Sequence, residues 1–163
     1  MLTTCLTDRS MVNLARGDPM AALIDAQAAL SSLGLPRPGQ RSLAVSARSA
    51  LADAQGRLGE EALAVAEYRR AVDEVTAMGR GHTLFAMSLL NDLGVHLSKA
   101  GQWLAAIDVY QRGLDVSRQL ERADALSPVL ETNYAKLLVE FGRSGEAMTL
   151  FERAMASAVE RVM

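Results

Sequence analysis

The chain has 163 residues, of which 50% are hydrophobic and 4% aromatic, and its formal net charge is −2. This balance, with no basic run longer than Arg69-Arg70, predicts that the chain does not bind nucleic acid. Cys5 is the single cysteine, which excludes an internal disulfide and fits a reducing compartment. No stretch approaches the roughly 18 apolar residues of a membrane helix, and the N-terminus lacks the pattern of a secretion signal. We therefore expect a cytoplasmic protein without membrane attachment.

The hydrophobic residues are mainly Ala, Leu, Val and Met, which favour closely packed helices over sheets. In chain order, the predicted helices span residues 3–16, 19–33, 42–58, 60–78, 83–100, 102–121, 127–141 and 144–161. Asp18-Pro19 is typical of a helix start, because an N-capping side chain precedes a proline at the first helical position. The joint at residues 34–39 contains Pro36 and Pro38 and cannot be helical throughout. The pattern predicts four helix pairs.

The helix pairs are related by an internal repeat. Gly17, Gly59, Gly101 and Gly142 are spaced by 42, 42 and 41 residues, and an alanine follows each of them five positions later. Nine positions after the glycines come Ala26, Tyr68, Tyr110 and Phe151. Twelve positions after them come Ala29, Ala71, Gly113 and Ala154. A glycine that ends one helix, followed by small residues two turns apart on the next, suits helices that approach each other closely.

The third unit carries the pattern most completely, as Leu93-Gly94, Leu97, Gly101, Trp103, Ala106, Tyr110 and Gly113-Leu114. This pattern resembles the tetratricopeptide repeat, with a period longer than the usual 34 residues or so. Repeats of this length are similar to those of kinesin light chains and of sensor domains in bacterial transcription regulators. The resemblance implies one all-α domain over residues 1–163, a right-handed α-solenoid of about four antiparallel helix pairs. Its repeats would cover residues 1–36, 40–79, 82–122 and 124–163.

The sixth predicted helix carries one apolar stripe at helical spacing, formed by Trp103, Ala106, Ile107, Tyr110 and Leu114. We interpret this stripe as core, because such stripes pack against neighbouring helices far more often than they line cofactor pockets.

Residues that could carry catalysis are sparse and scattered. His82 lies in a repeat joint, His96 lies within a helix, and Cys5 lies near the end of the chain beside no basic activator. No spacing of His, Cys, Asp or Glu suits a metal, and no glycine-rich phosphate loop is present. We therefore predict that the protein is not an enzyme and uses no metal or cofactor.

In the family that the chain resembles, the first helix of each repeat lines a concave face that binds peptides. The resemblance implies a binding surface formed by Asp53, Arg57, Ser88, Asn91, Asp92, Lys99, Thr132, Asn133, Lys136 and Glu140. Asn91 and Asn133 are notable because asparagine is a mediocre helix former and its amide can grip a peptide backbone. The alternative is that both face solvent or bond between neighbouring helices.

These features predict a scaffold that binds a protein or peptide partner and is a segment of a larger regulator. The last predicted helix carries Phe151, Met155 and Val159, and repeat arrays need a cap over such a face. The alternative function is therefore self-assembly, in which the C-terminal helices pair in a homodimer.

Overall fold

A computed structural model describes residues 1–120 and 126–159. Within these residues the chain forms eight α-helices, a short 3-10 helix at Pro38–Gln40 and no strand. The helices are α1 (Leu2–Ala15), α2 (Pro19–Leu33), α3 (Arg41–Arg57), α4 (Glu61–Ala77), α5 (Leu84–Lys99), α6 (Trp103–Gln119), α7 (Leu126–Glu140) and α8 (Ser144–Val159). The all-α class is confirmed, and the described helix ends lie within two residues of the predicted ones. Residues 121–125 and 160–163, which the predicted third and fourth repeats include, lie outside the described residues.

The turns inside the helix pairs follow from local sequence. Gly59 and Gly101 have φ angles of 82° and 72°, a left-handed conformation that glycine adopts without a Cβ clash. At the start of α2, the Asp18 carboxylate accepts a hydrogen bond of 3.0 Å from the backbone N–H of Ala21, as the sequence predicts. Each pair is therefore closed by a tight turn that requires glycine.

The chain divides into two compact units, Met1–Met78 and Gly79–Met163. Unit 1 contains α1–α4, and its core is built largely from alanine. Ala22, Ala26 and Ala29 of α2 are fully buried, and Ala26 packs with Ala50 and Leu51 of α3. Side chains this small let the helix axes approach closely.

A buried carboxylate also joins α1 to α2. Asp25 accepts hydrogen bonds from Nε and Nη2 of Arg9, at 2.8 and 2.6 Å, and from Nδ2 of Asn13 at 3.0 Å. The Arg9 hydrogen bond lowers the pKa of Asp25 below its ordinary value, against the opposing effect of burial. Ionised Asp25 therefore stabilises the first helix pair above the ordinary aspartate pKa, and this contribution is lost as the pH falls through the lowered value.

Unit 2 contains α5–α8 and has larger core residues. Tyr110 of α6 is buried and stacks on Tyr134 of α7, with ring centroids 5.6 Å apart. Ala106, Ile107, Tyr110 and Leu114 are buried, as the stripe predicts. Trp103 does not belong to this core, since it is 48% exposed and contacts Phe141 edge-on at 6.1 Å. It is the first residue of α6.

Candidate protein-binding surface

The ten predicted binding residues lie on first helices of helix pairs. Asp53 and Arg57 belong to α3 in unit 1. The other eight lie on α5 and α7 in unit 2, and they are Ser88, Asn91, Asp92, Lys99, Thr132, Asn133, Lys136 and Glu140. The surface formed by these eight residues is called the α5–α7 surface below.

Three of these side chains form a hydrogen-bonded relay across α5 and α7. Nδ2 of Asn133 donates to Oδ1 of Asn91 at 3.0 Å, and Nδ2 of Asn91 donates to Oδ1 of Asp92 at 3.0 Å. Asn91 is 8% exposed, whereas Asn133 and Asp92 are half-buried. The sequence left open whether these asparagines bind a ligand or bond between helices. The structure brings them together across two helices, which gives each amide a structural role.

The relay uses only part of the polar capacity of Asn133. An amide offers two N–H donors and a carbonyl acceptor, and one donor is engaged with Asn91. Within the described residues, no hydrogen bond joins the Asn133 carbonyl oxygen to another protein group. Asn133 therefore presents a donor and an acceptor, the pair that a peptide backbone needs.

Charged residues of both signs surround the relay. Lys99, Lys136 and Glu140 are exposed, while Ser88 and Thr132 are half-buried. Lys136 and Glu140 lie four residues apart on α7 and so occupy the same side of that helix. The α5–α7 surface can thus hydrogen-bond and pair with charges of either sign, but it concentrates neither sign.

In unit 1, the two predicted residues have different surroundings. Asp53 is half-buried and accepts a hydrogen bond of 2.6 Å from the hydroxyl of Tyr68, which is buried in α4. Arg57 is exposed at the end of α3. Asp53 therefore joins α3 to α4 through Tyr68, while Arg57 is accessible from solvent.

The hydroxyl of Tyr110 is a neutral hydrogen-bonding group. Burial raises the pKa of Tyr110 to about 12, so its hydroxyl stays protonated near neutral pH. Across residues 1–120 and 126–159, no three His, Cys, Asp or Glu side chains converge to hold a metal ion. The same residues include no helix that is both long and apolar enough to span a bilayer.

Sequence reasoning missed the most deeply buried charge of unit 2. Glu131 of α7 is 2% exposed, and its Oε1 pairs with Nη2 of Arg153 of α8 at 2.8 Å. Oε2 of Glu131 has no hydrogen-bond partner. The signal was available, because Glu131 stands in register with Tyr134 and Leu138 on the apolar stripe of α7. An acidic residue in such a stripe indicates a buried pair with a cation.

One family model matches part of the chain. The family model of the tetratricopeptide repeat matches residues 85–158, which lie in unit 2. No curated protein sequence matches the chain.

Solved structures show the same fold at low sequence identity. BtubC (BKLC) from P. vanneervenii superposes over 91% of this chain at a TM-score of 0.80 and 20% identity. The nearly identical TPR-like repeats of a kinesin light chain candidate from Podosopora anserina superpose over 96% of this chain, with a TM-score of 0.83 and 14% sequence identity. MamA superposes over 98% of this chain, with a TM-score of 0.69 and 15% sequence identity. The chain spans 59% of the BtubC chain, 75% of the Podosopora chain and 80% of the MamA chain.

Proposed function

We propose that this chain is a tetratricopeptide repeat protein, since the model of that family matches residues 85–158. Its function, by this proposal, is that of a protein-interaction scaffold. In our proposal the α5–α7 surface of unit 2 holds an extended segment of a partner polypeptide. The chain then serves as one part of a larger cytoplasmic regulatory protein.

The asparagine relay is the observation that supports this proposal. Asn91 fixes the Asn133 amide by accepting one of its N–H groups at 3.0 Å, so little side-chain entropy is lost when a ligand binds. The remaining donor and carbonyl of Asn133 match the alternating N–H and C=O groups of an extended backbone. Lys136 and Glu140 beside it would pair with ligand side chains of either sign. The ligand in this proposal is recognised mainly through its backbone.

Affinity measurements on selected peptides test the proposal. A library of random 12-residue peptides is panned against the whole chain, and the binders are measured by fluorescence anisotropy. Asn133→Ala should weaken binding about tenfold, because two backbone hydrogen bonds are lost. The same change should lower the free energy of unfolding by about 1 kcal/mol, because the buried Asn91 carbonyl loses its donor.

Asn13→Ala is the matched control. It removes another asparagine that bonds across two helices, at 3.0 Å to Asp25, but in unit 1. It should cost similar stability and leave peptide affinity unchanged. If both variants weaken binding equally, the loss reflects stability and the proposal fails. A library that yields no binder contradicts it as well.

Self-assembly is the second candidate function. Met148, Met155 and Val159 of α8 are 59%, 68% and 57% exposed, which is unusual for three apolar side chains on one helix. If the α5–α7 surface binds no peptide, we propose that this stripe packs against the same stripe of a second copy and so forms a homodimer. The molar mass in solution distinguishes the two functions.

A further inference from the structure

The exposed stripe of α8 has a counterpart on α2 that packs against another helix. Residues at equal distances from the turn glycines of two repeats occupy corresponding positions, so Leu23 and Leu30 of α2 correspond to Met148 and Met155 of α8. Leu23 and Leu30 pack against a buried cluster that includes Leu51 of α3. Met148 and Met155 are exposed. The positions by which α2 contacts α3 are therefore occupied on α8 by exposed methionines.

Unit 2 repeats this contact between α6 and α7. Ala26 and Leu51 share one cluster in unit 1, and their counterparts in unit 2 are Tyr110 and Tyr134, which stack on each other. Beside them, Nε2 of Gln111 donates a hydrogen bond of 3.2 Å to the hydroxyl oxygen of Tyr134. In both units, the second helix of one pair thus contacts the first helix of the next pair through the same positions.

The side of α1 that corresponds to the buried side of α3 is exposed. On α3 this side consists of Ala44, Ala47, Ala50, Leu51 and Ala54, all buried. Its counterparts on α1, called the α1 face below, are Leu2, Cys5, Asp8, Arg9 and Val12, all exposed. The α1 face therefore occupies the position at which a first helix receives a second helix.

The α1 face and α8 carry opposite charges at matching positions. Glu152 of α8 corresponds to Gln111, and Arg9 of α1 corresponds to Tyr134. Since Gln111 and Tyr134 are hydrogen-bonded, an α8 helix packed on α1 in the same way would bring Glu152 to Arg9. Glu152 is exposed, and Arg9 binds Asp25 only through Nε and Nη2, so its Nη1 can donate to a further carboxylate. This charge complementarity selects a second copy of the chain as the occupant of the α1 face.

We propose that α8 of one copy packs on the α1 face of a second copy, as α2 packs on α3. Met148 and Met155 then lie against the α1 face, and Glu152 pairs with Arg9. The contact joins unlike surfaces, so a pair of copies still has one free α1 face and one free α8, to which further copies can add. It differs in this respect from the homodimer of the second candidate function, and it does not depend on peptide binding by the α5–α7 surface.

Two blocked variants of the whole chain test the contact by light scattering coupled to size exclusion. Met155→Lys places a charge in the α8 stripe, and Val12→Lys places one in the α1 face, both at exposed sites. The wild-type chain should exceed twice its 17.5 kDa at high concentration, and each variant alone should stay at 17.5 kDa. An equimolar mixture of the variants should form a dimer, because the intact α8 of Val12→Lys meets the intact α1 face of Met155→Lys. Met20→Lys, at an exposed methionine outside both surfaces, should assemble like wild type.

Two further measurements address the α1 face itself. Glu152→Arg should weaken assembly about tenfold, because it places like charges together. Cys5 is exposed in one chain, so its alkylation by a maleimide should slow severalfold as the protein concentration rises and the α1 face is covered. Circular dichroism verifies that each variant is folded.

Four results would overturn the proposal. They are a wild-type chain that stays at 17.5 kDa, a Val12→Lys chain that dimerises alone, a mixture of the blocked variants that stays monomeric, and alkylation of Cys5 that is independent of concentration. The second result would indicate the homodimer in which two α8 stripes pack together.

Discussion

Glu131 is the residue at which unit 2 departs most from an ordinary helical core. Its carboxylate is 2% exposed, and only one of its two oxygens has a partner. Removing a charge from water costs several kcal/mol, and one ion pair to a partly exposed arginine offsets only part of that cost. Burial therefore raises the pKa of Glu131, although Arg153 and Arg118 oppose the shift.

This shift predicts a pH dependence that Glu131→Gln should remove. A folded-state pKa above the unfolded value contributes stability that is fully present below the ordinary glutamate pKa of 4.5 and is lost as the pH rises through the raised value. The wild-type chain should therefore lose stability relative to the glutamine variant as the pH rises from about 4.5. Urea unfolding at intervals between pH 4 and pH 8 measures the difference.

Glu152→Gln is the control for the loss of one negative charge, since Glu152 is exposed on α8. The difference in the free energy of unfolding between Glu152→Gln and the wild-type chain should not show the pH dependence expected for Glu131→Gln. The burial argument is wrong if the difference in the free energy of unfolding between wild type and Glu131→Gln does not change with pH. It is also wrong if the wild-type chain loses stability relative to the variant as the pH falls.

At the scale of elements, two glycines determine how closely the helices of unit 2 approach. A Cβ placed on Gly94 of α5 would lie 2.6–2.9 Å from ring carbons of Tyr110. A Cβ on Gly113 of α6 would lie 2.6 Å from Cδ1 of Leu130. These glycines sit inside helices, where glycine costs about 1 kcal/mol relative to alanine, so close packing is the reason for their presence.

Gly94→Ala should therefore destabilise the chain although alanine is the better helix former. Tyr110 is 1% exposed and stacked on Tyr134, so its ring has little room to move. We expect the free energy of unfolding to fall by about 1–3 kcal/mol, the usual cost of overpacking a core. Gly113→Ala should cost less, because the terminal methyl group of a leucine can shift. Urea denaturation measures both changes.

Gly145→Ala provides the matched control within α8. A Cβ there meets no atom within 4 Å, so the variant should be unchanged or more stable by up to about 1 kcal/mol. A Gly94→Ala variant as stable as Gly145→Ala would contradict the close-packing argument.

The helices were largely predictable from the sequence, because local residue patterns mark where each helix begins and ends. Helix α2 begins at Pro19 after the Asp18 cap and ends at Leu33 before Gly34, as predicted. The prediction that Trp103 belongs to the core was wrong. Helical spacing predicts the side of the helix on which a residue lies, but not how much of that side the neighbouring helices cover. The positions of Asn91 and Asn133 on first helices were predictable, but their mutual bond depends on how α5 packs on α7.

At the scale of the whole molecule, the exposed stripe of α8 bears on the oligomeric state. Met148 and Met155 are seven residues apart and Val159 follows four later, so the three share one side of α8. The proposed peptide-binding surface lies on α5 and α7, so it does not cover this stripe. A homodimer would bury it, and the solution mass then depends on concentration.

Light scattering coupled to size exclusion tests this pairing over a hundredfold concentration range. If the stripe pairs with its twin, the molar mass rises from the 17.5 kDa of one chain towards twice that value. Met155→Lys should weaken the dimer about tenfold or more, because it replaces an apolar contact of about 1.5–3 kcal/mol with a buried charge. Met20→Lys changes another exposed methionine, on α2, and should leave the mass unchanged. A wild-type chain that stays at 17.5 kDa throughout, or a Met155→Lys chain that still doubles its mass, would exclude self-assembly through α8.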